Sequence, residues 1–207
     1  MVQSSITIEY LKGIRDQVVF ELTNAAHIDD VFWQLQAIFD KNPEINTGDI
    51  FQIWLVDTYV DSITIRLRRL AQKNRNSISL WRLLEDWKRG IENISPKSAT
   101  KDEITAKQQE LENALNRVES YANSHIAHRA KNPQVTELPY SEVRKSLISA
   151  FKIFNWCSYL LTNSAWATAV PLLEESWLAI FKVPWLKDLP PPPYKHLDQL
   201  LSEDKEG

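Results

Sequence analysis

The densest group of polar side chains in the chain is Tyr121-Ala-Asn-Ser-His-Ile-Ala-His-Arg129, which holds two of the 4 histidines, His125 and His128. Imidazole gains or loses a proton close to neutral pH, so this is where acid–base chemistry is most available. On a helix turning 100° per residue, Arg117, His128, Tyr121, Asn132 and His125 share an arc of roughly 80° that flanks an apolar stripe. Two plainer uses compete. Histidines near a helix C-terminus cap the last carbonyls and favour the helix dipole. Two histidines three apart also share a metal when a third and fourth ligand are supplied, for which His27, Asp57 and Asp61 are the candidates. No local signature supports that ligand set, and no metal or cofactor is expected. Asp57 and Asp61 stand one helical turn apart and offer a weak Mg²⁺ or acid–base pair. Salt bridges to neighbours such as Arg66 or Arg68 are the expected use.

A second feature is electrostatic. Between Arg66 and Arg89 lie eight basic residues against Glu85 and Asp86 alone, in a chain of net charge −3. Trp81 and Trp87 fall inside this segment. Cations interleaved with aromatic rings suit single-stranded nucleic acid, through phosphate attraction and base stacking. Arg68, Arg69, Arg75 and Arg82 are the candidate RNA contacts. The alternative is a solvated basic face with core tryptophans; Trp81, Leu84 and Lys88 share one helical line, which places Trp81 toward the core.

The elements that must carry these residues are helices. Apolar residues recur at helical spacing, with no sustained strand-like alternation. The first helical region is expected over Ile6–Phe39, with a break near Asn24 and a fresh cap at Asp29 or Asp30, and Asn42-Pro43 ends it. A second helix is expected from Asp49 to about Gln72. Ile53, Val56, Val60, Ile63, Leu67 and Leu70 form its buried stripe, and Trp54 and Ile65 lie off it. A helix apolar on two faces is central in its bundle or lies in an interface. A third runs from about Ser79 to Ile91. A fourth opens on the capping-box spacing of Thr100 and Glu103 and is carried to about Arg129, with Ile104, Leu111, Leu115, Val118 and Ala122 as its core. The fifth starts near Ser141, with Val143, Leu147, Ala150, Phe154, Cys157 and Leu161 as a tight seam. This places Cys157 in the core as a small hydrophobe. A last helix is expected from Pro171 to Phe181.

The expected fold is therefore all-α, an antiparallel helical bundle of five to six helices spanning residues 1–182. Residues 183–207 form a Pro-rich, partly flexible tail, in which Pro190–Pro193 is a stiff spacer. Only 4 of 207 residues are glycine, which disfavours hairpin-rich barrels and phosphate-cradling loops. A single cysteine excludes a disulfide framework within the chain. The uncharged stretch Ile153–Leu173 is long enough for a bilayer, but Asn155, Ser158, Thr162, Asn163, Ser164 and Thr168 fit a buried central helix better. No basic-then-apolar leader opens the sequence, so a cytoplasmic protein without membrane attachment is expected.

Asn123-Ser-His-Ile-Ala-His-Arg129 resembles the end of the signature of HEPN-superfamily bundles. Ser62-Ile-Thr-Ile-Arg-Leu-Arg-Arg-Leu70 followed by Ser77-Ile-Ser-Leu-Trp-Arg-Leu-Leu84 resembles the abortive-infection branch of that superfamily. The two pieces together with the order of helices cover about residues 50–160. The resemblance implies a homodimer of a prokaryotic defence or toxin–antitoxin type system, with RNA, an antitoxin or another protein as partner. It also implies a metal-independent endoribonuclease. There a ribose 2′-hydroxyl attacks the adjacent phosphate, histidine moves the proton, and arginine holds the phosphate with two parallel donors. His128 would be the acid/base and His125 would assist. The family's arginine usually stands a few residues upstream, where this chain has Asn123, Ala122 and Tyr121. Arg117 is about 16 Å along the helix from His128, and Arg129 points about 100° away. Unless a partner subunit supplies Arg117 or Arg129, the same resemblance implies a catalytically inactive bundle that binds RNA or a partner protein.

Overall fold

The computed structural model describes residues 6–43, 45–46, 48–92, 94, 99–127 and 137–165. The chain divides after Pro171, and every described helix lies before that point. The domain boundary expected at 182, the last helix over Pro171–Phe181 and the Pro-rich tail all lie outside the described residues.

Among the described residues five α-helices form an all-α bundle: α1 (Ile8–Lys41), α2 (Ile50–Ala71), α3 (Leu80–Gly90), α4 (Lys101–Tyr121) and α5 (Tyr140–Thr162). A π-helical segment, Ala122–Ala127, continues α4. No strand occurs among the described residues.

The starts of the helices arise from local chemistry. The first backbone N–H groups of a helix lack partners within it, and a short oxygen-bearing side chain supplies one. Thr7 accepts from the Tyr10 N–H, Asp49 from Phe51 and Gln52, and Ser79 from Arg82. Thr100 and Glu103 form the expected reciprocal capping box. Gly48, just before α2, has a φ of 64°, the left-handed conformation that glycine adopts without steric penalty.

α2 is the hub and packs against α1, α3, α4, α5 and the π segment. Its C-terminal half supplies Val60, Ile63, Leu67 and Leu70 to the core. The expected stripe of α4 and the seam of α5 are all buried, Cys157 included. Each such aliphatic side chain contributes roughly 1.5–3 kcal/mol of transfer free energy. α5 stops at Thr162, where Asn163 turns left-handed at φ 56°. The helix therefore does not run on through the whole Ile153–Leu173 stretch. No helix among the described residues is long and apolar enough to cross a membrane.

Several local expectations are corrected. α1 does not break near Asn24; it runs unbroken for 34 residues. Asp29 caps nothing, because its carboxylate turns inward. It accepts from the Tyr59 hydroxyl at 2.6 Å and the Trp33 indole at 3.2 Å, and pairs with Arg144 at 3.1 Å, tying α1, α2 and α5 together. Ile53 is not buried; beside the first turns of α2 the bundle leaves an open groove lined by Phe39, Val56, Asp57 and Tyr140. Arg66 does not pair with Asp57 or Asp61, because Glu21 of α1 takes it at 2.8 Å. Finally, α4 does not continue to Arg129 in α form. Past Tyr121 the backbone widens into the π segment, so a wheel of 100° per residue misplaces His125 relative to Arg117.

Candidate functional site

The π segment has a local cause. The Ser124 hydroxyl donates to the Ser120 carbonyl one turn back, and such back-bonding side chains distort the α ladder. Short π segments recur at functional sites. Here the distortion stacks the His125 imidazole on the Tyr121 ring, with centroids 4.4 Å apart and planes 13° apart. Both side chains are half-buried. The His125 Nδ1 is buried and has no hydrogen-bond partner among the described residues.

Across from this stack, α2 presents Asp57 and Asp61, both exposed. Neither makes an ion pair among the described residues. Partial burial and the neighbouring Asp57 charge hold the Asp61 carboxyl above its ordinary range, and His125 opposes the rise. Burial, then Asp61 and Asp57, likewise push the Tyr121 phenol up. The charges acting on the Tyr121–His125 stack among the described residues are thus carboxylates. A phosphodiester would be repelled there, and a cation would be welcomed.

The other expected site residues are scattered. Asn123 is half-buried in the π segment. His128 and Arg129 lie outside the described residues. Arg117 is engaged elsewhere: its guanidinium binds the Glu142 carboxylate at 2.5 Å and the Glu137 carbonyl at 3.3 Å, strapping α4 to the start of α5. Among the described residues no group of three His, Cys, Asp or Glu side chains could hold a metal ion, so His27 is not joined to Asp57, Asp61 and His125 in a ligand cage.

The basic segment is largely neutralised from within. Arg66 and Arg69 pair with Glu21, Lys73 with Glu112, Arg82 with Asp86, and Lys88 and Arg89 with Glu85. The Arg82 and Asp86 side chains are 12% and 2% exposed, and the Tyr10 hydroxyl donates to the same carboxylate at 3.0 Å. Of the four expected RNA contacts, only Arg68 and Arg75 have no ion pair among the described residues. Trp87 is in the core against Trp156. Trp81 is half-buried, donates to Glu112 at 2.9 Å and lies under Lys73. Neither ring is set out as a free stacking platform.

One feature is missing from the sequence-based expectations. Ile50, Phe51, Ile53 and Trp54 at the start of α2 are all more than half exposed, and the Phe51 and Trp54 rings stack at 5.9 Å. The sequence does carry a signal for it: four apolar residues within five positions, just after a helix cap, cannot all face one core.

No family model matches the chain, nor does any curated protein or solved structure.

Proposed function

We propose that the chain is a helical bundle of the HEPN type that serves a prokaryotic defence or toxin–antitoxin system by binding a partner protein, without cutting RNA. The order of helices and the resemblance of residues 62–84 and 123–129 support the family reading. The observation that carries the choice of binding over cleavage is the charge around His125. Its electrostatic partner among the described residues is Asp61, itself beside Asp57, while Arg117 of α4 is held by Glu142. Transition-state stabilisation at a phosphate needs a preorganised positive group, and losing one such donor costs about 2.7–4 kcal/mol of barrier. The unpartnered apolar start of α2 supports the same reading, because exposed apolar patches mark protein contacts.

A second reading, a metal-independent endoribonuclease, draws on one observation: the buried His125 Nδ1, without a hydrogen-bond partner among the described residues, at a π-helical distortion. In it His128 would be the acid/base, with Arg117 or Arg129 of a second subunit at the phosphate. Incubation of the purified protein with total RNA separates the two. Binding without catalysis predicts intact RNA with the native protein and with His128→Ala alike. Fragments that disappear in His128→Ala would overturn it in favour of the nuclease.

A further inference from the structure

The first turns of α2 carry one continuous stripe. Ile50, Ile53, Trp54, Asp57 and Asp61 are spaced 3, 1, 3 and 4 residues apart and fall within an arc of about 100°. All five are exposed, Ile50 at 84% and Trp54 at 57%. The stripe is apolar for its first turn and acidic for the next two. Beside it lies the groove of about 330 Å³ between the end of α1, the start of α2 and the start of α5, with Phe39, Val56 and Tyr140 on its walls and Asp57 on its rim.

The charge pattern says what belongs there. Asp57 and Asp61 repel one another across one turn; His125 opposes the rise in the Asp61 pKa, and no lysine or arginine among the described residues pairs with either. The cation-rich segment further along the chain is largely paired with Glu21, Glu112, Glu85 and Asp86, Arg68 and Arg75 excepted. On α2 itself only Arg68 lacks an ion pair among the described residues, and it sits two turns beyond Asp61. The same helix of a second copy is a poor occupant. Antiparallel pairing that sets Asp57 against the Arg68 of another copy would place Trp54 opposite Ala71, the last residue of α2, and Ile50 beyond its end. The apolar turn would then meet a buried alanine and the end of the helix. RNA is disfavoured by the carboxylates.

We propose that the Ile50–Asp61 stripe and its groove take a basic amphipathic helix of a partner protein, its apolar residues seated against Ile53, Trp54 and Tyr140 and its Lys or Arg side chains on Asp57 and Asp61. This rests on the partner-binding reading above and names the surface and the partner's chemistry. Apolar anchors in a groove supply affinity, and the flanking charges set orientation and reject acidic helices.

The test uses the full chain and two synthetic peptides about five turns long, one of Leu and Lys in helical spacing and one of Leu and Glu. Calorimetric titration should show one-to-one binding of the Leu/Lys peptide, weakening as salt rises, and no binding of the Leu/Glu peptide. Trp54→Ala should weaken binding about tenfold or more. The double variant Asp57→Asn, Asp61→Asn should weaken it and flatten its salt dependence. Equal binding of both peptides, no binding of either, or variants that behave like the native protein would overturn the proposal. So would a dimer that dissociates in Trp54→Ala, since the stripe would then belong to a second copy. RNA incubation of the same preparations keeps the two claims apart. A chain inert toward RNA that ignores the peptide refutes only the surface; a chain that cuts RNA refutes the reading beneath it.

Discussion

Replacing Asp29 by Ala should be among the most damaging single changes on the bundle's surface-facing side of the core, although the sequence suggests a mere helix cap. Asp29 is 7% exposed, and its carboxylate serves three partners from three helices. Removing it leaves the hydroxyl of Tyr59, itself 2% exposed and stacked on Phe32 at 3.8 Å, with no acceptor. An unsatisfied buried hydroxyl costs about 1–3 kcal/mol. The Arg144 pair adds no more than about 1 kcal/mol, because that side chain is 42% exposed. The half-buried Trp33 indole adds a similar amount. The total loss is about 3 kcal/mol, a fall in melting temperature of roughly 10 °C for a domain of this size. Asp29→Asn keeps an acceptor for Tyr59 and should lose about half as much. Urea unfolding monitored by circular dichroism measures both. Combining Asp29→Ala with Tyr59→Phe should cost about 1 kcal/mol less than the separate losses together. A loss below about 1 kcal/mol for Asp29→Ala, or full additivity in the double variant, would refute the assignment.

The same geometry sets other outcomes. Asp61 is held above its ordinary pKa by burial and by Asp57, so its ionised form disfavours folding. That cost is absent in acid, develops as pH rises from the usual carboxylate pKa through the raised one, and is constant above it. Asp61→Asn should therefore stabilise the protein by about 0.5 kcal/mol at pH 7, the scale of a like-charge pair one turn apart, and by nothing near pH 3; a pH series of thermal melts checks the sign. Burial, then the Asp29 hydrogen bond, push the Tyr59 phenol well above its ordinary value. Its ionisation is thereby resisted in the fold, so stability should fall as pH rises past about 10, and Tyr59→Phe should blunt that fall in alkaline unfolding curves. Cys157 is fully buried and its thiol is pushed up by that burial. It should resist a thiol reagent at pH 8 in the native protein and react at once in urea. Thr100→Ala removes the capping box and should cost about 1 kcal/mol in unfolding free energy.

The helices and their buried faces are legible in the sequence because period and capping are local. The α4 and α5 stripes and the caps at Asp49 and Thr100 are written in a few neighbouring residues each. What is not legible depends on partners distant in sequence. Asp29 reads as a cap until Tyr59 and Arg144 are brought to it. Arg66 and Arg69 read as a free basic face until Glu21 lies alongside. Arg117 reads as a phosphate ligand until Glu142 claims it. The π segment is a subtler case: Asn123 and Ser124 are poor helix formers, but a widened turn and a broken helix share that composition. The stripe of α2 is half legible, since Trp54 stands off the buried face. That Ile53 also faces out depends on where α1 and α5 leave their groove open.

The most direct measurement is the indole N–H spectrum of the isotopically labelled full chain as the Leu/Lys peptide is added, with the Trp54 resonance assigned by Trp54→Phe. Docking on the α2 stripe predicts that the Trp54 signal moves progressively while that of Trp87, locked in the core, stays in place. A stationary Trp54 signal, or a shift confined to Trp81 beside the basic segment, would contradict it.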